Sequence, residues 1–241
     1  MRNGYLSRNL TMRLLQSIPL PRLAPFFAAA LLYGCAPSRA EQDQQATPAE
    51  NPLATMIGRQ LLVLPAQLLA TAGPGGSWDV RPDEAPLLQL VDQEITETLR
   101  KRGIRSNWTF PREIIASATR NGGLAGNPLG LSVAGIRRVK AGDTPLPEPL
   151  ASEIRTLVSL TSARYVIIPL ETRVDASGGQ RKGSLRVLLI DARTARVLWA
   201  GDVEGQSSRD PEIVRDTMSP FGFRILAREL ATLFADMVVP Q

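Results

Sequence analysis

The sequence predicts an α/β fold, a mixed sheet of about five strands with a β-hairpin and flanking helices, in a single domain. Three observations carry this prediction. Tyr165-Val-Ile-Ile-Pro-Leu170 is apolar at consecutive positions, as a central strand covered on both faces must be. Residues 88–99 and 223–237 place apolar side chains three and four apart, the spacing of helices that lie on a sheet. Residues 185–189 and 197–199 alternate in character on either side of a short polar turn, as paired strands do.

Taken in order, Arg59-Gln-Leu-Leu-Val-Leu-Pro65 is a short apolar run closed by proline and reads as a buried first strand. Pro82, Asp83 and Pro86 mark a helix entrance, with Asp83 as the expected N-cap. Leu88, Val91, Ile95 and Leu99 then form one stripe, Glu97 and Lys101 are placed to pair at i,i+4, and Gly103 ends the helix. A strand-like stretch runs from Ile104 to Phe110, and Pro111 opens a short helix through Ala118. Asn121 to Pro149 is irregular. Its glycines (Gly122, Gly123, Gly126, Gly130) do not make a phosphate loop, because no Gly-Lys-Ser/Thr follows them. Leu150, Ile154, Leu157 and Thr161 line a third helix that feeds the strand at Tyr165. Glu171 to Gly183 reads as a polar, Gly-rich connection, too short to supply the strands of a pore-forming hairpin. Asp191-Ala-Arg-Thr-Ala195 turns the chain between the two alternating strands. Ser219-Pro220 supplies the cap and first residue of a last helix, whose stripe is Phe223, Leu226, Leu230, Leu233 and Met237.

Ahead of the domain the organisation changes. Arg2, Arg8, Arg13 and Arg22 precede an uncharged interval from Leu23 to Ser38 that contains Cys35, the sole cysteine of the 241 residues. That interval is shorter than the ~20 apolar residues a spanning helix needs, and its layout is that of an export leader. Leu32-Tyr33-Gly34-Cys35 resembles the bacterial lipobox, with Tyr33 where a small residue is usual. The resemblance implies lipid attachment at Cys35 and removal of residues 1–34. Ala36 is not the aspartate associated with inner-membrane retention, so an outer-membrane, periplasm-facing, lipid-anchored protein is expected. Met12 offers an alternative start to the leader. Residues 35–55, Gln-, Ala- and Pro-rich after the cysteine, are expected to form a disordered tether, and 56–241 the domain.

Composition narrows the chemistry. The formal charge is +5, but four of the 28 basic residues and none of the 23 acidic ones lie before Cys35, so the remainder is nearly neutral and no nucleic-acid partner is expected. There is no histidine, which removes the commonest general base and metal ligand. No cofactor, metal site or catalytic residue is predicted. Carboxylate chemistry stays open in principle, with Asp202 and Glu204, or Glu171 and Asp175, as the candidate pairs. Arg137, Arg138 and Lys140 form a small basic cluster suited to anionic lipid or polymer, and Trp78, Trp108 and Trp199 are candidate contact residues, Trp199 being the one expected in the core.

Ala163-Arg-Tyr-Val-Ile-Ile168 and the turn Leu189-Ile-Asp-Ala-Arg-Thr-Ala-Arg-Val-Leu-Trp199 resemble segments of an α/β domain found in several envelope proteins: the Tol translocation protein's amino-terminal domain, the curli-secretion lipoprotein and the activator lipoproteins of peptidoglycan synthases. In that turn Ala195 stands where the group carries glycine. The resemblance implies a lipid-anchored, non-catalytic binding or assembly module with an envelope protein as partner, and is compatible with a homo-oligomer. The alternative is a carboxylate-dependent hydrolase of envelope polymer.

Overall fold

The computed structural model describes residues 52–72, 77–80, 84–123, 125–140, 142 and 144–240. The expected leader, Cys35, most of the tether and Asp83 lie outside the described residues. Eight strands form one mixed sheet, more than the five or so expected: β1 (Leu61–Val63), β2 (Leu68–Ala72), β3 (Trp78–Val80), β4 (Trp108–Thr109), β5 (Thr144–Pro145), β6 (Tyr165–Asp175), β7 (Lys182–Asp191) and β8 (Arg196–Glu204). The helices are α1 (Ala85–Lys101), α2 (Pro111–Arg120), α3 (Leu150–Ser159), α4 (Pro211–Asp216) and α5 (Pro220–Val238). The main path across the sheet is β3-β2-β6-β7-β8-β5, with β1 also on β6 and β4 on β1.

β6 is the spine, apolar at consecutive positions because both its faces are covered. Val166 and Ile168 point into a core shared with α2 and α3, while Ile167 points into one shared with α1 and α5. Leu62 and Leu64 go to the first core and Leu61 and Val63 to the second, repeating the same alternation. The α1/α5 side is the larger, with Leu87, Val91, Ile95 and Leu99 meeting Phe223, Leu226, Leu230 and Phe234. The last helix starts as its sequence demands, Ser219 accepting from the Gly222 amide with Pro220 as the first residue. Leu53, which the sequence places in the tether, is fully buried in the α1/α5 core.

Two readings of the chain need correction. Glu171 to Gly183 is not all connection: β6 runs on to Asp175 and β7 begins at Lys182, so a tight turn joins strands of 11 and 10 residues. Polar character misled there because, while one face of this end of the sheet packs on α5 through Val174, Leu185 and Gly183, the other carries ion pairs such as Glu171–Arg173 and Arg186–Asp202. Conversely, the strand-like stretch from Ile104 contracts to Trp108–Thr109, since only those residues pair with β1. The hairpin of β7 and β8 forms as expected. Its turn explains the glycine of the resembling proteins, for Ala195 sits at φ +54°, in the left-handed region.

β1 and β2 are in effect one strand interrupted at Pro65. Both run parallel to β6, Leu61 to Val63 pairing with Tyr165 to Ile167 and Leu68 to Thr71 with Glu171 to Val174. The partner strand has its own irregularity between Pro169 and Glu171. Where two prolines remove donors from facing strands, the freed backbone needs side-chain partners. Asp92 and Gln67 provide them.

Candidate functional site

The carboxylates nominated by sequence are not brought together as pairs. Asp202 and Glu204 lie on one face of β8, two residues apart, and each is taken by the neighbouring strand: Arg186 to Asp202 at 2.8 Å, Lys182 to Glu204 at 2.7 Å. Hydrogen bonding from Lys182 holds the Glu204 carboxyl below its ordinary range. Asp175 closes its own turn, accepting from the Ser177 hydroxyl and amide, which lower it likewise.

Glu171 behaves differently. It is fully buried, and Arg137 grips it with both Nη2 (2.6 Å) and Nε (3.1 Å) while Arg173 approaches from its own strand at 3.3 Å. Burial pushes the carboxyl up, but the hydrogen bonds from Arg137 and Arg173 outweigh it, and the group sits below the usual carboxylate range. The basic cluster is thereby split. Arg137 turns inward to Glu171, whereas Arg138 and Lys140 stay exposed. Of the tryptophans, Trp108 is buried, Trp199 packs half-buried against the α1/α5 core over Gly201, and Trp78 is exposed on the outer strand, with the Arg173 guanidinium 5.7 Å from its ring centre.

Two further buried carboxylates follow the Glu171 pattern. Glu94 of α1 receives Arg224 (2.7 Å) and Arg228 (3.0 Å) from α5; burial raises it, and these two arginines bring it below its ordinary value. Asp191 receives Arg164 at 2.6 Å and the Arg193 amide at 2.9 Å in the hairpin turn. Burial raises Asp191 too, and the Arg164 contact heads the interactions that lower it.

Asp92 is the exception among the described residues. It is 7% exposed, its Oδ1 accepts from the Ala66 amide at 2.7 Å, and no cation reaches it. Burial pushes its carboxyl up to about 7, against a smaller downward pull from the Ala66 hydrogen bond. What remains of its surface opens onto a groove of about 620 Å³ between α1 and α2, with Gln89, Gln93 and Thr96 on one wall, Pro111 and Ile115 on the other and exposed Leu129 at the mouth. The floor is firmly built. Gln67 donates to Pro65 O (2.6 Å) and Pro128 O (3.0 Å) and accepts from Leu131 N (3.0 Å), pinning the irregular segment to the strand break. Sequence reading passed over Asp92 although a signal was present. It stands four residues after Leu88 and three before Ile95, beside the apolar stripe.

A neutral acid in a groove can donate a proton or a hydrogen bond, and the same group ionised can hold a cation. Among the described residues no group of three or more acidic or Cys side chains is placed to hold a metal, and no helix is long and apolar enough to cross a membrane.

No family model and no curated protein matches the chain. Solved structures similar to it include the LpoB C-terminal domain from Salmonella enterica, at 17% identity over 65% of this chain and 94% of that one, with a TM-score of 0.34. The PelC dodecamer from Paraburkholderia phytofirmans is 14% identical over 78% of this chain and 93% of that one, TM-score 0.36. Lipoprotein GNA1162 from Neisseria meningitidis is 15% identical over 70% and 98%, TM-score 0.33. At these identities and TM-scores the likenesses carry no function across to this chain.

Proposed function

We propose that this chain is a lipid-anchored, non-catalytic binding or assembly module of the cell envelope. Cys35 carries the lipid, the outer membrane is the anchoring surface, and the domain faces the periplasm to engage a protein partner. The observation that supports this reading is how the carboxylates are used. In a chain without histidine, Glu94, Glu171, Asp191, Asp202 and Glu204 are each committed to an arginine or lysine that ties strands or helices together. Such residues build a rigid surface instead of moving protons.

Membrane fractionation tests the anchor: Cys35→Ala should move the protein from the membrane to the soluble fraction, and persistent retention would contradict lipidation. Co-purification from membranes tests the module, with a stoichiometric envelope protein as the expected outcome.

Asp92 favours a second reading, a carboxylate-dependent hydrolase of envelope polymer in which this neutral acid donates the proton to the leaving group. Glu97 lines the same groove but lies 3.9 Å from the Lys101 ammonium on an exposed helix face. Cleavage of purified envelope glycan, abolished by Asp92→Asn, would establish the hydrolase over the binding module.

A further inference from the structure

Four carboxylates are buried among the described residues, and Asp92 alone has no cation. An acid buried without a counter-ion is costly once ionised, so the question is which group would complete it. We propose that the α1–α2 groove binds a primary alkylammonium, of the lysine side-chain kind, on a peptide segment of the partner protein, with Asp92 as its counter-ion. This deepens the binding-module reading and rests on it.

The chemistry of the walls selects this ligand. The charged residues lining the groove besides Asp92 are Glu97 and Arg100 on α1 and Arg112 on α2, all exposed. Arg100 is bound to Glu113 at 2.8 Å and Glu97 lies 3.9 Å from Lys101, which leaves the solvated Arg112. The β1–β2 connection contributes only the Ala66 amide and the fully engaged Gln67, and the Leu129 segment no charge. Asp92 is therefore the one buried charge of the groove, and the group that complements it at that depth is a cation.

Geometry then separates one cation from another. Oδ1 is occupied by the Ala66 amide, leaving one carboxylate oxygen free. A guanidinium gains most from two parallel hydrogen bonds to both oxygens, whereas an ammonium is a point charge served by one. Gln89, Gln93 and Thr96 can take its other protons, while Pro111, Ile115, Ala116 and Leu129 form an apolar wall for a methylene stem. An amino sugar offers the ammonium without the stem.

Binding is coupled to protonation. The empty groove keeps Asp92 near half-protonated at neutral pH, and an arriving ammonium favours the ionised form, so binding expels a proton. Affinity should accordingly rise about tenfold from pH 6 to pH 8 and then level.

The test uses the full chain in detergent, followed by amide NMR. The probes are Nα-acetyl-lysine N-methylamide, its norleucine and arginine counterparts, and glucosamine. The lysine probe should shift the Ala66, Gln93 and Thr96 amides and tighten about tenfold across that pH range. Asp92→Asn keeps an oxygen for the Ala66 amide, so a merely structural aspartate would leave binding unchanged. The proposal expects at least a tenfold loss of affinity and no pH dependence. Equal binding by the norleucine, arginine or glucosamine probes, an unaffected Asp92→Asn, or no binding of the lysine probe at tens of millimolar would each overturn it. Failure here would leave the fractionation and co-purification results standing, since both are read without the groove.

Discussion

Asp92 and Glu94 lie two residues apart on α1 and are buried to nearly the same depth, 7% and 2% exposed, yet they face different regions and meet different fates. Glu94 looks toward α5, where Arg224 and Arg228 reach it from one helix face. Asp92 looks toward the broken strand, where among the described residues the one donor that reaches it is the Ala66 amide. Desolvation acts upward on both carboxyls; two guanidiniums reverse its effect in one case, and a single amide fails to in the other. The difference teaches that burial alone does not decide the ionisation of an acid in this fold. The neighbouring element decides it, and the α1/α5 layer is electrostatically finished where the α1/α2 layer is not.

The sharpest way to break that contrast is Asp92→Asn. Well below pH 3.8 the carboxyl is protonated in both folded and unfolded chains and contributes no pH dependence. Between 3.8 and about 7 the unfolded chain has lost the proton and the folded one retains it. Folding then binds a proton, so stability falls as pH rises and levels above pH 7, for a total of about 4 kcal/mol. Denaturant titrations from pH 3 to 8 should show that decline in the stability difference between the parent and Asp92→Asn, since the carboxylates lowered by the fold act alike in both, leaving the variant the more stable at pH 8.

Glu171→Ala should do the opposite, costing about 3 kcal/mol at pH 7, the low end for a broken buried pair because Arg137 and Arg173 still reach water. The Glu171 carboxyl is lowered in the fold, so its contribution exists above its unfolded value and disappears as pH falls through the folded one. The parent and variant should therefore converge in acid. Glu94→Ala should cost less, about 1 kcal/mol by thermal unfolding at pH 7, since Arg224 and Arg228 are 44% and 60% exposed and are readily solvated once released. Smallest is Ala195→Gly, in a turn where the relief of a left-handed φ of +54° is offset by loss of a buried methyl. A change within about 0.5 kcal/mol is expected there, with a pH slope matching the parent.

Much of this architecture was legible because it depends on periodicity. α1, α5, β6 and the β7–β8 hairpin announce themselves through 3.6-residue stripes, a two-faced apolar run and alternation about a turn, and each is a long element whose burial overrides local noise. The short strands β2 to β5 and the six-residue α4 carry too few residues to show a period. Their existence depends on partners distant in sequence, as with Leu68–Thr71 against Glu171–Val174. The polar end of β6 and β7 was misread for a related reason: Arg173 and Lys182 look like loop residues until Glu171 on the same strand and Glu204 across the hairpin are set beside them. Asp92 was missed because its role is defined by a strand break 26 residues away. Only the tertiary fold brings Ala66 to it.

The most direct test of the central contrast is a carboxyl carbon NMR titration of Asp92 in the full chain, with Glu94 followed in the same spectra. Asp92 should titrate with a midpoint near 7, and Glu94 below its usual 4.5. A midpoint for Asp92 near 3.8, the value of an ordinary solvated aspartate, would show that a cation or water already completes it. That result would contradict the unfinished groove on which the ammonium site depends.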